Sequence, residues 1–233
     1  MRIEVWSDVV CPWCYIGKRH LESALAGFDH RDDVEVVYRS FELDPSAPEV
    51  PVETTVESLA KKFGTDVAGA RELMTRADGA AASVGLVFNH ADAPHARTVD
   101  AHRLLHLALD AGVQAELKEA LLAAYFTRGE SMGDHDVLRG VAVSAGLDAA
   151  RVDEVLSGTE YLDAVHADIA QARAYGANGV PFFVVDQRYG VSGAQPPEVF
   201  TELLDRAWTE SHPAVEMVGT PGADACGPDG CAI

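Results

Sequence analysis

This chain of 233 residues has ordinary apolar and charged fractions, 48% and 24%, which are typical of a folded globular protein and not of a disordered one. Its 18 basic and 37 acidic residues give a formal net charge of −19, and the acidic residues are spread along the chain, so nucleic acid is not expected as a partner. No run reaches the roughly 18 apolar residues that a membrane span needs, so no membrane partner is expected either.

The first forty residues predict a β-α-β unit. Residues 3–6 are a short strand candidate, a helix begins at Pro12, and the β-branched and aromatic residues of 34–41 predict a second strand. Short connections favour a parallel, right-handed arrangement. The helix is supported by an apolar stripe at helical spacing: Tyr15, Ile16, Leu21, Leu25 and Phe28.

The middle of the chain predicts a helical block. Three prolines between residues 45 and 51 mark a break, after which Thr54 and Glu57 form a capping box and Gly64 ends the first helix. Glycines then separate further helical stretches. These are predicted at 68–84, 98–111, 114–127, 136–145, 149–156 and 162–175.

The last third predicts a hairpin and a helix. Residues 181–185 and 189–192 are strand candidates, and Pro197 opens a helix through residue 208. After residue 213 the apolar periodicity stops. We therefore predict an α/β domain in two pieces, 1–46 and 161–212, a helical insertion at 47–160, and a flexible Gly- and Pro-containing tail at 213–233 with a second cysteine pair.

The four cysteines form two close pairs, Cys11 with Cys14 and Cys226 with Cys231. Four are too few for a disulfide framework, and the N-terminus has no pattern typical of a signal peptide, so we expect a cytoplasmic protein. In a reducing compartment, close pairs are more often catalytic or metal-binding than structural.

Cys11 and Cys14 suit disulfide exchange. Cys11 precedes the predicted helix, where the helix dipole favours a thiolate, whereas Cys14 lies one turn later and should be more shielded. We therefore predict Cys11 as the nucleophile and the more exposed and acidic thiol, and Cys14 as the resolving thiol. Pro12 suits the first turn, and Trp13 offers an apolar surface to a protein substrate. The alternative is half of a zinc site, but the other pair lies in the tail, so no metal is predicted.

A second signal lies at Gly179-Val180-Pro181, where proline begins an apolar run. Proline is unusual at the start of a buried strand. A cis peptide bond between Val180 and Pro181 would explain it by turning the chain tightly there.

These segments closely resemble the DsbA-like thioredoxin-fold oxidoreductases of the FrnE branch. The resemblance rests on 7–17, 179–185 and 192–195, and extends to 100–104 and 125–129. It implies a thioredoxin fold with a large all-helical domain inserted after the first β-α-β unit. It also implies that the loop with Pro181 lies over the cysteines and that the backbone of Val180 pairs with substrate. Relatives commonly carry Asn where this chain has Arg97, which removes an amide that could hold a small thiol ligand.

The partners implied are protein or small-molecule thiols and disulfides. No cofactor is required, and glutathione or another thiol could serve as electron partner. The same architecture occurs in 2-hydroxychromene-2-carboxylate isomerases and kappa-class glutathione transferases, which typically carry serine where this chain has Cys11. A serine can activate glutathione but cannot exchange disulfides, so the intact pair argues against that alternative. A non-enzymatic binding module would leave the pair without a purpose.

Other residues gave weaker signals. His102 and His106 stand four apart on a predicted helix, but the surrounding leucines favour a packing role, and His90 and His95 form no constellation. Asp8 could either tune Cys11 or cap the following turn.

The last pair, Cys226 and Cys231, flanks a Gly-Pro-Asp-Gly turn sequence. A turn of this kind can bring two sulfurs within bonding distance, which predicts a second redox pair able to exchange with the first. The alternatives are a surface disulfide, idle thiols, or a zinc clip shared with Cys11 and Cys14.

Overall fold

The computed structural model describes residues 1–213 and begins with the predicted β-α-β unit. Strand β1 (Arg2–Ser7) leads into helix α1 (Pro12–Ala26), and strand β2 (Glu35–Ser40) follows. The two strands pair in parallel along their whole length. Pro12 lies in the first turn of α1, where the missing N–H would have no helical partner. Cys226 and Cys231 lie outside the described residues.

A series of helices separates β2 from the rest of the sheet. They are α2 (Thr55–Phe63), α3 (Val67–Ser83), α4 (Val99–Asp110), α5 (Gln114–Phe126), α6 (His135–Ser144) and α7 (Ala149–Ser157). The capping box of Thr54 and Glu57 is confirmed, and Gly64 ends α2 in the left-handed conformation at φ 65°. The sequence thus predicted these helices to within about two residues at each end.

The chain then returns to the sheet through α8 (Leu162–Ala174), β3 (Phe182–Val185), β4 (Tyr189–Ser192) and α9 (Pro197–Ser211). Strand β3 is antiparallel to both β1 and β4, and the strand order is β2-β1-β3-β4. Asp186 and Gln187 turn the hairpin with positive φ angles of 47° and 56°, a conformation that matches the twist of the strands. The predicted hairpin is confirmed.

Helices cover both faces of this sheet. Alternate residues of β3 point to opposite faces, so Phe183 packs with Phe200 of α9 and the apolar side of α1, whereas Phe182 packs with Trp6 and with Ala172 of α8. The Trp6 indole also donates to the carbonyl oxygen of Asp168 at 2.8 Å. The sheet is therefore the middle layer of three.

The helical block has a large core of its own, which continues into the β-α-β unit. Val9, Tyr15 and Ile16 pack into the same core as the leucines of α4 and α5. The predicted fold class, an α/β fold with an all-helical part inserted after the first β-α-β unit, is confirmed. The exact boundaries, 47 and 160, stay a prediction. Within residues 1–213, no helix combines the length and apolar character needed to cross a membrane.

Candidate active site

Both cysteines of the first pair lie at the start of α1. Cys11 is the residue before the helix, with extended backbone at φ −93° and ψ 114°, and Cys14 lies in the first turn. The amide of Cys14 donates to the carbonyl oxygen of Cys11 at 3.0 Å. No acidic residue occupies the first turn of α1, so no carboxylate of the helix itself offsets the positive end of its dipole beside Cys11.

The prediction that Cys11 is the more exposed thiol is wrong. Cys11 and Cys14 are both free and both 3% exposed. The reason is a contact made far along the chain: the Cys11 thiol donates to the carbonyl oxygen of Val180 at 3.6 Å, so the segment before β3 covers it. A helix start exposes a side chain only if no other segment packs over it.

The segment over Cys11 contains a cis peptide bond between Val180 and Pro181. The carbonyl oxygen of Pro181 accepts from the amide of Gly193 at 2.8 Å, which ties the segment to the end of β4. The Pro181 ring also packs closely on Gly17 of α1, where an added Cβ would lie 3.0 Å from Pro181 Cγ and 3.3 Å from Phe183 Cζ. Glycine at position 17 therefore lets α1 and this segment approach.

Cys14 is the thiol held in its neutral form. Burial raises the pKa of Cys14 well above its ordinary value, and the hydrogen bond and charge of Cys11 raise it further. The charge of Lys118 and the backbone amide of Asp8 act in the opposite direction. Deprotonating Cys14 therefore depends on nearby positive charge.

Asp8 braces the loop before the cysteines and does not cap α1. Its carboxylate, 1% exposed, accepts from the amide of Val9 at 2.7 Å and from the amide of Leu43 at 2.8 Å. His102 Nε2 lies 3.2 Å from the same carboxylate. Burial raises the pKa of Asp8, but the hydrogen bonds and charge of these partners outweigh it, and the net pKa is below the ordinary value.

A comparison with protein families identifies the family of this chain. A family model described as the DSBA-like thioredoxin domain matches residues 2–205. The chain belongs to this family.

Solved structures agree with the assignment. A probable DsbA oxidoreductase from Streptomyces coelicolor is 46% identical, with a TM-score of 0.85 over 100% of this chain and 99% of that one. The cytosolic disulfide reductase DsbM from Pseudomonas aeruginosa, solved with GSH, is 15% identical, with a TM-score of 0.62 over 89% and 99%. A 2-hydroxychromene-2-carboxylate isomerase is 12% identical, with a TM-score of 0.61 over 91% and 98%. The last two share the fold alone.

In this DsbA-like protein an apolar groove of about 420 Å³ adjoins the motif. Pro12 and Trp13 form one side, and the guanidinium of Arg76 lies 5.6 Å from the centre of the Trp13 ring. Phe63 and Leu73, which are 60% and 55% exposed, also line the groove. The apolar surface of Trp13 is therefore part of a larger groove.

In this DsbA-like protein, three of the four histidines noted in the sequence bind carboxylates, and they do so in separate places. His102 contacts Asp8, whereas His106 Nε2 lies 3.1 Å from Asp168. His95 Nε2 lies 3.2 Å from Asp44, and burial lowers the pKa of His90 to about 4. Within residues 1–213, no group of three or more His, Cys, Asp or Glu side chains could hold a metal ion.

Arg97, the residue that departs from the family pattern, lies in an ion-pair cluster. Its guanidinium is 3.3 Å from Glu49 and 3.9 Å from Asp100. Arg103 Nη1 donates to the same Asp100 at 2.7 Å, and its Nε donates to the carbonyl oxygen of Glu160 at 2.7 Å. The Asp-Ala-His-Arg segment of the resemblance thus joins α4 to the end of α7 and, through His102, to the loop before the cysteines.

Sequence reasoning missed two residues near the cysteines of this DsbA-like protein. The sequence does indicate a role for Gly17, because an isolated glycine inside a predicted helix often marks a place where another segment packs closely against the helix. The sequence gives no indication that Lys118 is buried, although it is 1% exposed. Its stretch of α5 shows no feature that separates a buried lysine from an exposed one.

Proposed function

We propose that this DsbA-like protein is a thiol-disulfide oxidoreductase in which Cys11 attacks and Cys14 resolves. One observation carries the proposal: two free thiols lie within one helical turn, with Cys11 between the positive end of α1 and the carbonyl of Val180. A second thiol so close can attack any mixed disulfide formed at Cys11.

The reduction of a substrate disulfide takes two displacements. The Cys11 thiolate attacks one substrate sulfur, an S–S bond forms between Cys11 and that sulfur, and the other substrate sulfur leaves with the electron pair and takes up a proton. Cys14 then loses its proton and attacks the Cys11 sulfur, which releases the second substrate thiol and leaves a Cys11–Cys14 disulfide. The protein has given up two electrons, and the reverse sequence oxidises a dithiol.

Substrate would be held beside the cysteines by Pro12, Trp13, Val180 and Pro181. The Val180 carbonyl lies against the Cys11 sulfur, so a substrate strand bonded there would meet the backbone of this segment. Trp13 and the adjoining groove offer apolar contact to a protein segment. Protein or small-molecule thiols and disulfides are thus the proposed partners.

No cofactor is needed for these displacements, because the two cysteines carry the electrons. Glutathione or another thiol is the proposed source or acceptor of electrons between turnovers. We also propose that the protein works in the cytoplasm, on the grounds of its few cysteines and of a fold shared with a cytosolic disulfide reductase.

The proposal is tested by reduction of insulin with dithiothreitol as electron donor. The parent chain should accelerate insulin reduction, whereas Cys11→Ser should leave only the rate of dithiothreitol alone. Cys14→Ser is the matched control: it should form a mixed disulfide at Cys11 but should turn over slowly.

The glutathione-dependent isomerase or transferase is the competing function. It predicts activity toward an electrophile in the presence of glutathione, and this activity should survive in Cys11→Ser, since serine can activate a glutathione thiol. Retention of that activity together with no insulin reduction by the parent chain would replace our proposal with this one.

A further inference from the structure

Lys118 on α5 is a buried ammonium without a hydrogen-bond partner among residues 1–213. Its side chain is one of the largest that are almost completely buried, and its Nζ makes no hydrogen bond within the described part of the chain. Lys18, also buried, differs because it pairs with Glu22 and Glu119, both at 2.5 Å. A buried, unpaired charge is costly, so its position calls for a reason other than stability.

The neighbours of Lys118 on α5 fix where its side chain lies. Gln114 exchanges two hydrogen bonds with the backbone of Tyr38 on β2, both 2.9 Å. Glu119 accepts from the Tyr15 hydroxyl of α1 at 2.6 Å. Lys118 therefore lies between β2 and α1, with its Nζ 5.9 Å from the centre of the Tyr38 ring.

Lys118 lies close enough to the candidate active site for its charge to interact with the groups there. Burial lowers the pKa of Lys118 to about 8, while Cys14, Asp8 and Cys11 counter the shift and Lys18 of α1 adds to it. From α4, His102 reaches the same region through its contact with Asp8. Cys14 and Asp8 experience the reciprocal effect, because the charge of Lys118 lowers the pKa of each.

We propose that Lys118 is a positioning residue for disulfide exchange, supplied by the helical block, whose positive charge stabilises the thiolate of Cys14 when this sulfur attacks a mixed disulfide at Cys11. The inference rests on the proposed function.

The chemistry of that step is balanced without a further reagent. The Cys14 thiol gives up its proton, the S–S bond between Cys11 and substrate breaks, the Cys11–Cys14 bond forms, and the substrate sulfur leaves with the electron pair and gains a proton. Lys118 makes no hydrogen bond to either sulfur, so it acts through charge at a distance, in a buried site where such interactions are screened weakly.

The test uses Ellman's reagent on the full chain carrying Cys226→Ser and Cys231→Ser, so that only Cys11 and Cys14 react. Attack by Cys11 releases one thionitrobenzoate and leaves the other as a mixed disulfide, and attack by Cys14 then releases the second in a first-order phase. With Lys118→Met the second phase should slow about tenfold near neutral pH. This difference should shrink as the pH rises above about 8, where Lys118 of the parent loses its own charge. Lys61→Met, which removes an exposed lysine charge, should leave the second phase unchanged.

A second measurement does not need exchange. In the same background with Cys11→Ser, the rate at which iodoacetamide alkylates Cys14 near neutral pH follows its thiolate fraction, and Lys118→Met should lower this rate about tenfold. If neither the alkylation rate of Cys14 nor the second phase changes, the proposal is overturned, even if the variant changes the unfolding midpoint. Should Lys118→Met fail to fold, Lys118→Gln is read in the same way.

The two proposals fail in different ways. If the parent background releases no second thionitrobenzoate, the exchange function is lost and with it the role of Lys118 in exchange. If the parent background releases two thionitrobenzoates and Lys118→Met releases the second at the same rate at every pH, only the proposed role of Lys118 is lost.

Discussion

Asp8 shows how one buried side chain connects distant parts of the site. It lies between β1 and the cysteines, yet its carboxylate binds the amide of Leu43 after β2 and the ring of His102 on α4. A residue adjacent to the motif thereby fixes three segments at once. The sequence left open whether it tunes Cys11 or caps a turn, and the structure gives it a third role, that of a brace.

We predict that Asp8→Asn destabilises the fold near neutral pH by about 1–3 kcal/mol, because it weakens hydrogen bonds that are assisted by charge. The folded pKa of Asp8 is below its ordinary value, so the stability linked to its charge is present above the unfolded pKa of about 3.9 and is lost as the pH falls through the folded pKa. Denaturant unfolding of parent and variant at pH 7 and at pH 3 checks this. An equal difference in unfolding free energy between parent and variant at both pH values would contradict this prediction.

At the scale of elements, the contact of α1 with the segment before β3 decides the geometry of the site. Gly17 is the point of approach: its missing Cβ leaves room for Pro181, for Phe183 and for the backbone of Ala194. The same approach covers Cys11 with the carbonyl of Val180. Two elements more than 150 residues apart in sequence thus share one contact.

We predict that Gly17→Ala lowers both stability and the rate of disulfide exchange. The added Cβ must push Pro181 away, and overpacking of this kind costs about 1–3 kcal/mol. Gly140→Ala in α6 is the matched control, since its Cβ would meet nothing within 4 Å and should stabilise the helix by about 0.5–1 kcal/mol. Unfolding midpoints and insulin reduction check both variants, and equal gains in stability from the two would contradict the prediction.

At the scale of the whole molecule, the helical block contributes to the site instead of only covering it. It supplies His102 to the brace and Lys118 to the surroundings of Cys14, and its core takes in Val9 and Tyr15 from the β-α-β unit. A chain without the helical block would therefore lose the His102 contact with Asp8 and the charge of Lys118, in addition to contacts with substrate.

The second cysteine pair is predicted to exchange disulfides with the first, from the C-terminal end of the chain. If Cys226 and Cys231 exchange with the first pair, a chain with Cys14→Ser and Cys231→Ser should form an intramolecular Cys11–Cys226 disulfide under mild oxidation, because the tether keeps the thiols at high effective concentration. Peptide mass mapping detects this species. Its absence, with unchanged turnover after deletion of residues 213–233, would leave the second pair without a role in exchange.

The sequence by itself determined the order of the elements and the position of the cysteines. The capping box at Thr54, the proline of α1 and the apolar run of β3 are local signals, and each acts within a few residues, so it can be detected without the fold. The close spacing of Cys11 and Cys14 is likewise a property of one helical turn.

Only the tertiary structure decided what surrounds these cysteines. The burial of Cys11 depends on Val180, 169 residues away, and the bracing of Asp8 depends on His102, 94 residues away. Lys118 became a buried charge because α5 is fixed to β2 through Gln114. Side chains on different elements meet only once the elements pack, and the desolvation and charge that set the chemistry of a thiol arise from that packing.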